Sequence, residues 1–469
     1  MTRLHRSLPP GPRTPSIVNL GRWVARPFDF LEECEQRYGD YFTVNLPGMP
    51  PNVVFSDPEA VRDLFTAPVD DARVQPIAGV LEPVMGEHSV MLLDAEPHQR
   101  QRRRMLPPFR GSALQSYEPS IRANARARFE RYRAGQYINV LEEMQRLTLD
   151  VILDITLAPR GESEREHMRR VVERFLAAGT SPLATSMLWL MPKPLVRPLV
   201  YQAARHFKAL PWAEVVATQD ELDNLLYRAI ASRRRGNTGN DLLSLLLEAR
   251  DDAGEGMTDR EVRDQLVTLL LAGHETTATT LTWAIAHLLA AGEWQALRSR
   301  MDDVELEAVL NESMRLSPVS VTVGRHLTAP MKMGRIELPA YVNAIACVYL
   351  TQRRADIYRD PGSFLPARWI GQRKNAYAFF PFGGGARRCL GMSLAYLEMK
   401  VILGELLLHA DLKSATSNPL HPVRKGVTFA PDAGLPAFVE CVKTPPRDFP
   451  FKKGNHHELV GCPHASKAL

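Results

Sequence analysis

The stretch from Leu266 to Ala290 constrains this 469-residue chain more than any other. Its apolar character suits a bilayer span, which needs about 20 such residues. Gly273, His274, Glu275 and several threonines interrupt it, however, and polar groups of that kind are costly in lipid. A helix surrounded by protein is apolar on every side for the same reason. Begun near Asp259, it would run on the order of 45 Å at the usual rise per residue. Burying a helix of that length takes a large core.

The rest of the chain can supply one. Hydrophobic residues make up 45% and aromatics 7%. Helical periodicity covers 118–160, 212–250, 259–291 and 303–316. Short β-like runs, Tyr41–Leu46 and Asn52–Phe55, flank a Pro-Gly-Met-Pro-Pro turn, and others lie around Ile336–Val348 and Val427–Val442. The fold class is therefore mainly α with a small β region. No repeat, low-complexity tract or Gly/Ser linker divides the sequence. Residues 1–469 read as a single large domain, with 1–10 and 445–469 as mobile tails. Gly236 and Gly239 mark Arg235–Asn240 as a loop between helices.

A formal charge of +5 is mildly basic, and no nucleic-acid motif accompanies it. Cys34, Cys347, Cys389, Cys441 and Cys462 are few, odd in number and far apart, which argues against a disulfide framework and for a reducing cytoplasmic location. The first twelve residues have no apolar core of a leader or anchor, so no transmembrane anchor is expected. His456, His457, Cys462 and His464 could bind a metal, but a mobile terminus is the simpler reading.

One thiol stands apart. Cys389 lies in Phe382-Gly-Gly-Gly-Ala-Arg-Arg-Cys-Leu-Gly391, ahead of a helical run. Sulfur binds metal as thiolate, which positive charge and a helix N-terminus stabilise. Gly383, Gly384 and Gly385 let the loop come close to a flat ligand. A buried, inert core cysteine is the alternative that Cys389 alone leaves open.

The fixed positions Phe382, Gly385, Arg387, Cys389 and Gly391 resemble the haem-ligand loop of the cytochrome P-450 family. The resemblance runs from about Leu8 to Val442, with the motifs in the family's order. It implies a P-450 fold around a buried haem b, iron protoporphyrin IX, with Cys389 as thiolate ligand and Arg387 on a propionate. Ala272-Gly273-His274-Glu275-Thr276-Thr277, in the long helix, resembles the oxygen-activating segment. Splitting an O–O bond requires protons delivered without flooding the site. By that resemblance Thr276 holds the oxygen, Glu275 relays protons, and Ala272 and Gly273 leave room beside the haem. His274 reads as a satisfied polar residue.

Other motifs fit the same family. Glu312-x-x-Arg315 and Arg368 of Phe364–Trp369 resemble its buried carboxylate with two guanidinium partners. His98-x-x-x-Arg102 and Arg325 resemble propionate contacts, and an i, i+4 spacing puts the first two on one helix face. Arg100, Arg103, Arg104 and Arg110 would form a basic surface suited to an acidic electron carrier. The chain has no Gly-x-Gly-x-x-Gly fingerprint or cysteine quartet of its own, so electrons should come from a ferredoxin or flavodoxin with its NAD(P)H-dependent reductase.

The implied reaction inserts one oxygen atom of dioxygen into an organic substrate. By analogy, 72–92, 176–215, 318–323 and 427–431 line its pocket. The apolar Met187–Val196 stretch suggests a lipophilic substrate, such as a fatty acid, terpenoid or steroid, and is equally compatible with plain packing. Two other readings are a peroxide-driven or rearranging haem-thiolate enzyme, which commonly lacks the acid-threonine pair, and a haem gas sensor without turnover.

Overall fold

The computed structural model describes residues 8–179, 201–207, 212–236, 239, 241–425 and 428–443. The Met187–Val196 stretch, the histidine-bearing tail and much of the 176–215 wall lie outside them.

The long helix runs Asp259–Ala290, about 48 Å by its rise. Thr258 and Glu261 start it with a reciprocal capping box, which satisfies two backbone donors that a helix start leaves open. It packs against the helices Val140–Leu157, Asp303–Leu316 and Met392–His409. Its apolar side chains join the largest core cluster with Leu147, Val151, Leu310, Ile402 and Leu406. The burial expected from its composition is therefore present, and among the described residues no helix is long and apolar enough to cross a membrane.

The β region is small and split. A five-stranded sheet holds Tyr41–Val44, Asn52–Phe55, Asn343–Cys347, Thr322–Leu327 and Ala72–Arg73 in that spatial order. Asn52–Phe55 and Asn343–Cys347 run parallel, and the other neighbours antiparallel. The segment read as helix over 118–160 breaks into Glu118–Phe129 and Val140–Leu157. Between them Tyr137–Asn139 pairs with Pro436–Val442, a distant partner that local periodicity cannot reveal. The 212–250 segment likewise divides into Ala213–Arg234 and Leu242–Glu248.

Candidate active site

Cys389 sits where a tight loop feeds the Met392–His409 helix. Its N–H donates to Phe382 O at 2.9 Å, and Gly383 N to Phe380 O at 2.9 Å, closing the loop on itself. Gly383 and Gly385 have φ of +65° and +63°, the left-handed region that favours glycine. A Cβ on Gly384 would overlap the Phe65 ring, and one on Gly385 the Phe65 carbonyl. The glycines thus let the loop seat directly on the Pro58–Thr66 helix.

The thiol has open surface yet is strongly desolvated. Both hold for a sulfur on an inward-facing wall. Burial pushes its pKa up, while the N–H groups of Gly391 and Met392 and the charges of Arg102 and Arg388 pull it down. The helix begins at Met392 with Gly391 before it, so its first N–H groups serve the sulfur.

A cationic wall lies beside the thiol. His98 and Arg102 project from Ala95–Met105, Arg325 from the sheet and Arg387 from the loop. Burial drives His98 down to about 3, with help from Arg387, Arg102 and Arg325. Burial lowers Arg325 and Arg387 to about 10 each, and nearby guanidinium charge adds to both shifts. Asp94 opposes these shifts: it ion-pairs with Arg387, which also donates to Leu93 O. His98 Nδ1 is buried with no hydrogen-bond partner among the described residues. A flat ligand bearing two carboxylates fits this donor set, since it would neutralise the crowded cations and meet the orphaned ring nitrogen.

The long helix contributes the other wall. It is buried almost throughout, yet Ala272, Gly273, Glu275 and Thr276 are half-open midway along it, with His274 and Thr277 buried between and beyond them. Mid-helix openness of this kind marks an inward face. Thr276 Oγ1 donates to Ala272 O at 2.7 Å, leaving its lone pairs able to accept. Glu275 Oε1 accepts from Thr428 Oγ1 at 3.0 Å. His274 is buried and faces the Gln145 carbonyl, but its Nδ1 has no hydrogen-bond partner among the described residues, so it is not the fully satisfied polar residue expected.

The scaffold triad forms as expected. Arg315 donates to both Glu312 oxygens at 2.9 Å and Arg368 Nε to Oε1 at 2.9 Å. Trp369 Nε1 and Leu365 N each add a 2.9 Å bond to the same carboxylate. Phe382 packs on Tyr396 with ring centroids 5.3 Å apart.

The structure corrects one group and supplies partners that the sequence did not reveal. Arg104 is not part of a basic surface: it is 3% exposed and ion-pairs with Asp251. It shares a helix face with buried His98 and Gln101. Asp94, Trp369 and Thr428 went unread as partners of Arg387, Glu312 and Glu275. Trp369 stands inside the quoted Phe364–Trp369 motif and Asp94 four residues ahead of His98, whereas nothing local marks Thr428.

The fold and this arrangement are those of a haem-dependent monooxygenase, an oxidoreductase that uses dioxygen. Comparison with known proteins agrees. The sequence pattern of the family described as Cytochrome P450 matches residues 8–435. A Mycobacterium tuberculosis protein named cytochrome P450 135B1 is 33% identical over 471 aligned residues, covering 98% of this chain and 96% of that protein. Cytochrome P450 137 of the same organism is 31% identical, covering 85% and 83%. Among solved structures, retinoic acid bound cyanobacterial CYP120A1 superposes with a TM-score of 0.78 at 22% identity, covering 92% of this chain and 99% of that one. The haem domain of cytochrome P450DA gives 0.77 at 22% identity, covering 92% and 97%. The chain belongs to the cytochrome P450 family, and its cofactor is haem, iron protoporphyrin IX.

Proposed function

We propose that this chain is a haem-thiolate monooxygenase that inserts one oxygen atom into a lipophilic organic substrate of the fatty acid, terpenoid or steroid class. The observation that carries the reading is the setting of Cys389: an accessible, enclosed thiol faced by the N–H groups of Gly391 and Met392. In this reading the Cys389 thiolate would ligate the haem iron, His98, Arg102, Arg325 and Arg387 would hold the propionates, Phe382 would pack against the haem, and Ala272 and Gly273 would leave room for oxygen and substrate. When bound, the haem supplies the iron at which dioxygen is activated. Thr276 then accepts a hydrogen bond with its free lone pairs, and Glu275 hands on protons.

The described parts of the expected pocket wall include the apolar residues Val84, Met85, Leu92, Val321, Phe429 and Ala430, and it is this composition that supports an apolar guest, the side chains themselves being packed into the core. Arg100 and Arg110, with Arg103 paired to Asp252, would offer a smaller basic patch to an acidic ferredoxin or flavodoxin, reduced in turn by an NAD(P)H-dependent reductase, in the cytoplasm.

The test is the carbon monoxide difference spectrum of the reduced, haem-loaded protein. A strongly red-shifted Soret band in the wild type, lost in Cys389→His, is the expected result. A wild-type protein that folds with haem and lacks the band would overturn the reading. Spin-state titration with fatty acids, terpenes and sterols then sorts the substrate class.

A further inference from the structure

Thr428 reaches the carboxylate of Glu275 from outside the long helix. It opens the strand Thr428–Pro431 and is 1% exposed. Its hydroxyl lies 3.0 Å from Glu275 Oε1, 3.1 Å from Lys425 O and 3.4 Å from Thr279 Oγ1. A hydroxyl has one proton to give, and a carboxylate is the strongest of these acceptors. Thr279, fully buried one turn along from Glu275, then donates to the Thr428 oxygen. The result is a chain from Thr279 to Thr428 to Glu275 in which each bond polarises the next.

The strand is fixed to the helix at a second point. Trp283 Nε1 donates to Phe429 O at 2.9 Å, and Trp283 is itself buried. Thr428 therefore cannot drift from Glu275 without also breaking the Phe429 contact. This strand belongs to the apolar wall assigned above to the substrate.

We infer that Thr428 is a positioning residue for the proton-relay acid: its hydroxyl holds the Glu275 carboxylate in one rotamer and ties it to the buried strand Thr428–Pro431. The inference rests on the reading of Glu275 as a proton donor. No covalent step is involved, because Thr428 keeps its proton and only orients the group that exchanges one.

The experiment uses haem-loaded wild type, Thr428→Val, Thr428→Ser, Thr279→Val and Glu275→Gln. With ¹³C-labelled glutamate, the infrared carboxylate band missing from Glu275→Gln belongs to Glu275. Thr428→Val should shift that band, Thr428→Ser should keep it in place, and Thr279→Val should move it less. The second readout is hydrogen peroxide released per dioxygen consumed, driven by a ferredoxin and its reductase with a substrate found by the spin-state titration present, so that dioxygen not lost as peroxide enters product and water. It should rise about tenfold in Thr428→Val, the factor expected for losing one charge-assisted bond, and stay at the wild-type value in Thr428→Ser. An unshifted band in both Thr428→Val and Thr279→Val overturns the inference alone, provided Glu275→Gln raises peroxide release. Unchanged peroxide release in Glu275→Gln overturns the relay reading and the inference with it.

Discussion

Arg387 and Asp94 form an ion pair that ties the loop before Cys389 to the start of the His98 helix. Asp94 Oδ1 also accepts from Val74 N at 2.8 Å, so one carboxylate joins three segments. Around it Arg325 and Arg387 crowd together, each held below the usual guanidinium range. Asp94→Asn should therefore destabilise the haem-free chain by about 2 kcal/mol, with less effect once propionates supply charge. Urea midpoints of the two forms check this, and an equal loss in both would count against propionate binding at this wall. Arg325→Ala should act in the opposite sense, speeding haem transfer to apomyoglobin.

The Glu312 carboxylate is fully buried beneath Arg315, Arg368, Trp369 and Leu365 N. Burial alone would raise its pKa, but the Arg315 bonds and charge outweigh that and leave it lowered. Glu312→Ala strands the buried Arg315 cation and should cost about 3–5 kcal/mol. Glu312→Gln keeps part of the bonding and should cost less. Chemical denaturation of both variants, with haem content as a second readout, tests the order.

Thr276 already uses its proton on Ala272 O, so its contribution to oxygen chemistry must come through its lone pairs. Thr276→Ala removes them and should raise peroxide release per electron pair about tenfold, with substrate affinity little changed. Thr276→Ser should preserve coupling. Tight coupling in the alanine variant would exclude this residue from the relay.

Acid should weaken the fold partly through His274. Burial pushes its imidazole down to about 4 from 6.5, and the Gln145 carbonyl opposes this only weakly. Above pH 6.5 neither the folded nor the unfolded chain protonates it, so its contribution is fully present. As pH falls from 6.5 toward 4 the unfolded chain binds the proton first, and stability drops by about 1.4 kcal/mol per pH unit. His274→Gln removes that slope. Urea midpoints at pH 7.5 and 5 should lie closer together in the variant than in wild type.

What the sequence made legible was local. The long helix announces itself because its apolar run and polar interruptions are contiguous, and the expected 259–291 meets the observed Asp259–Ala290. The thiol loop and the Glu312 triad were legible as spaced motifs in the family's order. What stayed hidden depends on partners far along the chain. Tyr137–Asn139 becomes a strand only because Pro436–Val442 lies beside it. Arg104 turns inward because Asp251 waits there, a partner that no spacing within 98–110 can name. Thr428 looked like one residue of a pocket wall until the fold set its hydroxyl on Glu275.

The glycines of the thiol loop can be separated by the kind of atom each one meets. A Cβ on Gly384 would strike the Phe65 ring, a side chain that can be shortened. A Cβ on Gly385 would strike the Phe65 carbonyl, and φ there is +63°, so both sterics and backbone strain oppose it. Gly384→Ala should lose stability and haem, and Phe65→Leu should restore part of both, although that change itself weakens packing on Phe380, whose ring centroid is 5.4 Å away. Gly385→Ala should lose at least about 2 kcal/mol, and no side-chain change at position 65 can relieve a clash with its backbone. Thermal midpoints and haem content of the three single and two double variants decide the point. Rescue of Gly385→Ala by Phe65→Leu would mean that the loop does not sit on the Phe65 backbone.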